Sequence, residues 1–97
     1  MEKHRNMPKI CPSCGNRLSV RALHCGECDT RVEGDYALPS IMRLSDDDRR
    51  FVLDFVLCSG SLKEMARAMS LSYPTVRNRL DDIISQLKSF ESNETNR

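Results

Sequence analysis

The sequence predicts a small α+β chain: an N-terminal four-cysteine zinc ribbon with short β structure, then an all-α helix-turn-helix domain of three main helices. Three observations carry this. Cys11, Cys14, Cys25 and Cys28 form two C-x-x-C pairs. Leu18, Val20 and Ala22 alternate with Arg17, Ser19 and Arg21, a period of two that marks a strand with one covered face. From Ser45 onward the apolar residues recur at spacings of three and four, the helical period.

Ninety-seven residues fit one ordinary domain or two very small ones. Below roughly 70–80 residues a single core seldom supplies more than about 3–5 kcal/mol, so two small pieces need a staple. The reading assigns 1–9 to a flexible tail, 10–34 to the ribbon, 35–44 to a connector, 45–88 to the helix-turn-helix domain and 89–97 to a second flexible tail. Met1 to Ile10 is polar and charged, without the apolar stretch of a signal peptide, and no apolar run approaches the ~20 residues of a membrane span. The expected setting is the cytoplasm, with no membrane insertion. Paired cysteines there point to metal rather than disulfides.

Each C-x-x-C places two thiolates on one tight turn. Gly15 stands after the second Cys of the first pair, where positive φ is often needed, and Asp29 holds the matching position in the second. Thr30 to Glu33 reads as a second short strand ending before Gly34. Cys11, Cys14, Cys25 and Cys28 together make a tetrahedral four-thiolate set that favours Zn²⁺ over iron. Four thiolates leave no position for a reactive water, so one structural zinc ion is expected. His24, beside Cys25, reads as a surface residue next to a complete site.

The connector contains Tyr36, Leu38, Ile41, Met42 and Leu44, too apolar for a free linker, and is expected to lie across the helices. Ser45 caps the first helix, and Asp46, Asp47 and Asp48 occupy its positive end. Phe51 to Cys58 is apolar over most of its circumference and reads as the central core helix, with Cys58 a small buried hydrophobe. Ser59-Gly60 ends it.

Ser61 and Glu64 form a capping-box pattern for a second helix whose inward stripe is Leu62, Met65, Ala66 and Met69. Ser70 holds the turn and Leu71 is expected to plug it from inside. Ser72 caps the third helix, and Pro74 is allowed in its first turn. Val76, Leu80, Ile83, Ile84 and Leu87 continue the apolar stripe. Tyr73, Thr75, Arg77 and Asn78 are left for a DNA groove, with Arg79 and Arg67 for the phosphate backbone. Arg can read guanine and Asn can read adenine, and either can hold a phosphate. Solvated residues on an ordinary helical hairpin would have the same composition. Asp81 and Asp82 would repel phosphate, limiting the reading surface to two turns. Ile83, Ile84 and Leu87 offer either a homodimer contact or packing onto the first helix.

Two resemblances follow from these residues. Ala66, Ser70-Leu71-Ser72, Thr75-Val76 and Leu80 resemble the helix-turn-helix of sigma-factor promoter-reading domains, with Ser70 in place of the usual Gly. The whole order also resembles a bacterial family of small zinc-ribbon plus helix-turn-helix proteins of unknown function. That order is Cys11-Pro12-Ser13-Cys14-Gly15, the second C-x-x-C, Leu38-Pro39, Leu44 to Val52 and Leu71 to Ile84. The resemblance covers residues 10–87. It implies a bacterial cytoplasmic transcriptional regulator and brings no mechanism.

Charge pulls the other way. The net is +1, and residues 41–97 carry nine basic and nine acidic side chains. A strong DNA binder usually shows a basic footprint. The leading expectation is a regulator that binds double-stranded DNA. The alternative, which neutral charge favours, is an adaptor that binds a protein of the transcription machinery or a signalling partner without touching DNA. No H-E-x-x-H, phosphate-cradling Gly loop or nucleophile motif is present, so an enzyme is not expected.

Overall fold

The computed structural model describes residues 6–94, and the chain divides into two compact units between Pro39 and Ser40. The parts of the expected tails at 1–5 and 95–97 lie outside the described residues.

In the first unit, strand β1 (Val20–His24) pairs antiparallel with β2 (Arg31–Tyr36). Leu23 faces Val32 and His24 faces Arg31, and a bulge shifts the register between Val20 and Ala22. β2 runs through Gly34, where the sequence predicts its end. A Cβ at Gly34 would lie 2.8 Å from the Tyr36 ring, so glycine here makes room for the aromatic side chain rather than breaking the strand. Ser19 donates from Oγ to Asp35 Oδ1 at 3.2 Å, closing the open end of the hairpin. The covered face expected of β1 is absent. Of its five residues only Val20 is partly buried, because the strands pair only with each other.

The second unit is helical. A 3-10 turn (Ser40–Arg43) leads into α1 (Asp46–Leu57), α2 (Leu62–Met69) and α3 (Tyr73–Glu94). Its core joins Leu44, Phe51, Leu62, Met65, Ala66, Val76 and Ile83. The caps are serines throughout. Ser45 Oγ accepts from the Asp48 N–H and Ser61 Oγ from the Glu64 N–H, both at 3.1 Å, and Ser72 Oγ accepts from the Thr75 N–H at 3.3 Å. Glu64 makes only half a capping box, because its carboxylate pairs with Arg67 at 3.0 Å.

Two helix ends share one geometry. After α1, Gly60 N–H donates to Phe55 O and Ser59 N–H to Val56 O, each at 2.9 Å. After α2, Leu71 N–H donates to Ala66 O at 3.0 Å and Ser70 N–H to Arg67 O at 3.2 Å. Both are Schellman ends, and each puts a serine in the left-handed region (φ 57° for Ser59 and for Ser70).

Several expectations change here. The central helices are α2 and α3, not α1. Phe51 is the only fully buried residue of α1, and Leu53, Val56 and Leu57 face outward, because partners reach only one side of it. Leu71 contributes its N–H to the turn while its side chain stays 43% exposed, so it does not plug the turn. Of the three residues offered for a homodimer contact or for packing, Ile83 is 1% exposed and joins the core, while Ile84 and the partly buried Leu87 line one open groove together. The third helix does not fray at Ser89 but runs to Glu94. Ser40 Oγ donates to the Glu91 carboxylate, and the Arg43 guanidinium lies 5.8 Å from the centre of the Phe90 ring, so the 3-10 turn holds the distal end of α3.

Ile83→Ala should cost about 2–5 kcal/mol in chemical denaturation, whereas Ile84→Ala should stay within about 0.5 kcal/mol. Glycine at position 59 or 70 relieves a left-handed penalty of about 1–2 kcal/mol and loses roughly 0.5–1 kcal/mol to unfolded-chain freedom. Ser59→Gly and Ser70→Gly should therefore each raise the melting temperature by a few degrees in a thermal scan.

Candidate metal centre and nucleic-acid interface

The two C-x-x-C turns are built alike, fourteen residues apart. In the first, Gly15 N–H donates to Cys11 O at 2.9 Å and Cys11 N–H to Asn16 O at 2.8 Å. In the second, Asp29 N–H donates to Cys25 O at 2.9 Å and Cys25 N–H to Thr30 O at 2.8 Å. Gly15 (φ 79°) and Asp29 (φ 67°) both take the left-handed conformation that closes such a turn. Asp tolerates it better than most residues. An antiparallel bridge between Ile10 and Arg17 flanks the first turn.

Both turns also support thiolate. Ser13 and Cys14 donate their N–H groups to Cys11 Sγ at 3.3 and 3.4 Å. Those donors, Cys14 first, hold the Cys11 thiol below its ordinary pKa. The Thr30 hydroxyl, 2.9 Å from Cys28 Sγ, and the Thr30 N–H lower the Cys28 thiol in the same way. All five cysteines are free thiols. Cys11 and Cys14 lie together on one turn and Cys25 and Cys28 on the other. Among the described residues no three His, Cys, Asp or Glu side chains are gathered tightly enough to share one ion. As a donor set, two thiol pairs with two members favouring thiolate suit a soft, four-coordinate cation. His24 pairs through Nε2 with the Asp29 carboxylate and stays exposed.

The helical unit sets out the other candidate residues in two groups. Tyr73, Thr75, Arg77 and Asn78 are exposed over the first two turns of α3, while Val76 between them is fully buried and seats the helix. Thr75 is partly committed to the cap, since its hydroxyl lies 2.8 Å from Ser72 Oγ. Arg77 pairs with Asp81 at 3.3 Å, and Arg67 with Glu64 at 3.0 Å on α2. Both pairs are solvent-exposed, so they cost little to exchange for another anion.

Arg79 is placed differently. Its Nη2 lies 3.3 Å from Asp48 Oδ1, and its guanidinium carbon lies 5.0 Å from the centre of the buried Phe51 ring. The Gln86 side chain donates to the other Asp48 oxygen at 3.2 Å. In the sequence Asp48 reads only as part of an acidic helix start. Its partners stand 31 and 38 residues away, and no local pattern marks them.

No helix among the described residues is long and apolar enough to cross a membrane. Residues 11–42 match a family model described as the DUF2089 zinc ribbon, and residues 44–90 match one described as the DUF2089 helix-turn-helix domain of unknown function. No curated protein and no solved structure matches the chain significantly. With the two matches adjoining in this order, a zinc ribbon and then a helix-turn-helix domain, the chain belongs to the DUF2089 family.

Proposed function

We propose that this protein is a cytoplasmic regulator that binds double-stranded DNA through the first two turns of α3, with its ribbon held by one structural zinc ion. The observation that carries the DNA reading is the presentation of α3. Buried Val76 anchors it while Tyr73, Thr75, Arg77 and Asn78 stand exposed at its N-terminal end. In a helix-turn-helix the N-terminal residues of the second helix contact base edges. Arg77 would take guanine or phosphate, Asn78 adenine, and Arg67 a phosphate beside the groove. Asp81 and Asp82, one turn further on, confine the contact to those two turns.

Cys11, Cys14, Cys25 and Cys28 would hold the zinc ion. Bound zinc would supply cross-linking of the two turns and no reaction chemistry, because four thiolates complete a tetrahedral shell. The exposure of the ribbon supports this reading, since every residue from 21 to 30 is exposed and the strands bury almost nothing. Structural zinc contributes on the order of 10–16 kcal/mol to folding in comparable peptides.

The adaptor reading rests on a separate observation: the balanced charge of the helical unit together with the outward-facing Leu53, Val56 and Leu57 of α1. The two readings part on salt dependence. Duplex binding should weaken as salt rises, and Arg77→Ala should reduce the magnitude of the log–log slope by about 0.9. Asn78→Ala should cut discrimination at one base position by about 1–3 kcal/mol in competition binding. A protein that binds no duplex at low salt defeats the DNA reading. For the metal, elemental analysis should give one zinc per chain. A chelator should unfold the ribbon while the far-ultraviolet helical signal largely remains, and a metal-free protein with an intact ribbon refutes the assignment.

A further inference from the structure

We infer that Arg79 is a positioning residue, which with Gln86 grips Asp48 and so sets the rotation and axial position of α3, rather than a phosphate contact. Asp48 sits in the first turn of α1 with its side chain 19% exposed, and Arg79 itself is 33% exposed. One carboxylate oxygen takes Arg79 and the other takes Gln86. Gln86 is fastened in turn, donating to Asp82 at 3.2 Å. Arg79 and Gln86 stand seven residues apart on α3, two helical turns and roughly 10 Å along its axis.

Two grips on one carboxylate define an orientation that apolar packing leaves loose. Hydrophobic cores tolerate sliding and repacking at modest cost and lose uniqueness before they lose stability. A directional pair with both carboxylate oxygens occupied does not. Rotation of α3 by a single residue, about 100°, would carry Tyr73 and Arg77 off the presented face. The guanidinium also lies over the Phe51 ring, itself 2% exposed, which adds a second contact to the one with Asp48.

The same geometry withholds the Arg79 charge from DNA. For Arg79 to reach a phosphate it would have to leave a mostly buried carboxylate behind, a costly step. Arg77, in an exposed pair with Asp81, faces no such barrier. Of the two arginines at the start of α3, one reads and the other holds.

This inference rests on the DNA reading for its consequence but not for its geometry, and the test has one arm for each. In thermal unfolding, Asp48→Asn and Arg79→Met should each lower the melting temperature, and the double variant should melt no lower than the worse single one. Additive losses would mean that the two residues do not act together and would overturn the grip. That arm needs no DNA, so a wild-type protein that fails to bind duplex defeats the proposed function and leaves the grip to be decided by melting alone.

In duplex binding, Asp48→Asn keeps side-chain shape and removes a negative charge. Simple electrostatics makes it bind as well or better. Positioning makes it bind about tenfold more weakly if α3 holds its reading orientation only about a tenth of the time, with an unchanged salt slope. Arg79→Lys keeps the charge without the planar fork, so it should behave like Arg79→Met. Tighter binding by Asp48→Asn, rescue by lysine, or a slope reduced by about 0.9 in Arg79→Met would each make Arg79 a phosphate contact.

Discussion

The helical unit depends on the close approach of α2 and α3 across a three-residue turn. Ala66 and Met65 on one side, and Val76 and Ile83 on the other, are all buried in the same cluster. Ser70 must then reverse the chain in a left-handed conformation, and Leu71 must give its N–H to Ala66. A larger residue at position 66 would drive the helices apart, and the extra volume would strain the core. The start of α3 is held beside α2 by this contact.

The two units solve the problem of small size differently. The helical one has a core cluster of seven buried residues with partly buried ones packed around it. No residue of the two ribbon strands is buried. The ribbon's order comes from backbone hydrogen bonds within two tight turns and one hairpin, with Leu23 and Val32 facing each other across the strands in the open. Such a sheet is marginal in water without further support. The paired thiols are the groups in it able to take on that support.

Much of this was legible in the sequence because the signals were local. The C-x-x-C turns, the serine caps and the three-and-four spacing of the helices are written within a few residues of the structure they specify. What was missed came from distant partners. Polar composition after Ser89 reads as fraying, yet Ser40, 51 residues away, holds Glu91. Arg79 lies beside Asn78 in the chain and reads as a phosphate contact, but Asp48 and Phe51 draw it inward. Gly34 reads as a strand end because glycine usually punctuates, and only the Tyr36 ring lying against it reveals another use. The breadth of apolar residues on α1 reads as centrality, because periodicity cannot count how many neighbours a helix will find.

The serines that flank α2 have a dynamic consequence. This helix has only eight residues, shorter than an isolated helix can sustain in water. Ser59 precedes it and Ser70 follows it, both in a conformation that non-glycine residues resist. Its helicity is therefore borrowed from Val76 and Ile83 beneath it rather than held by its own propensity. The amides of α2 and those of the buried half of α3 should therefore open together in hydrogen exchange, and the exposed start of α3 keeps its arrangement only while that unit stays closed.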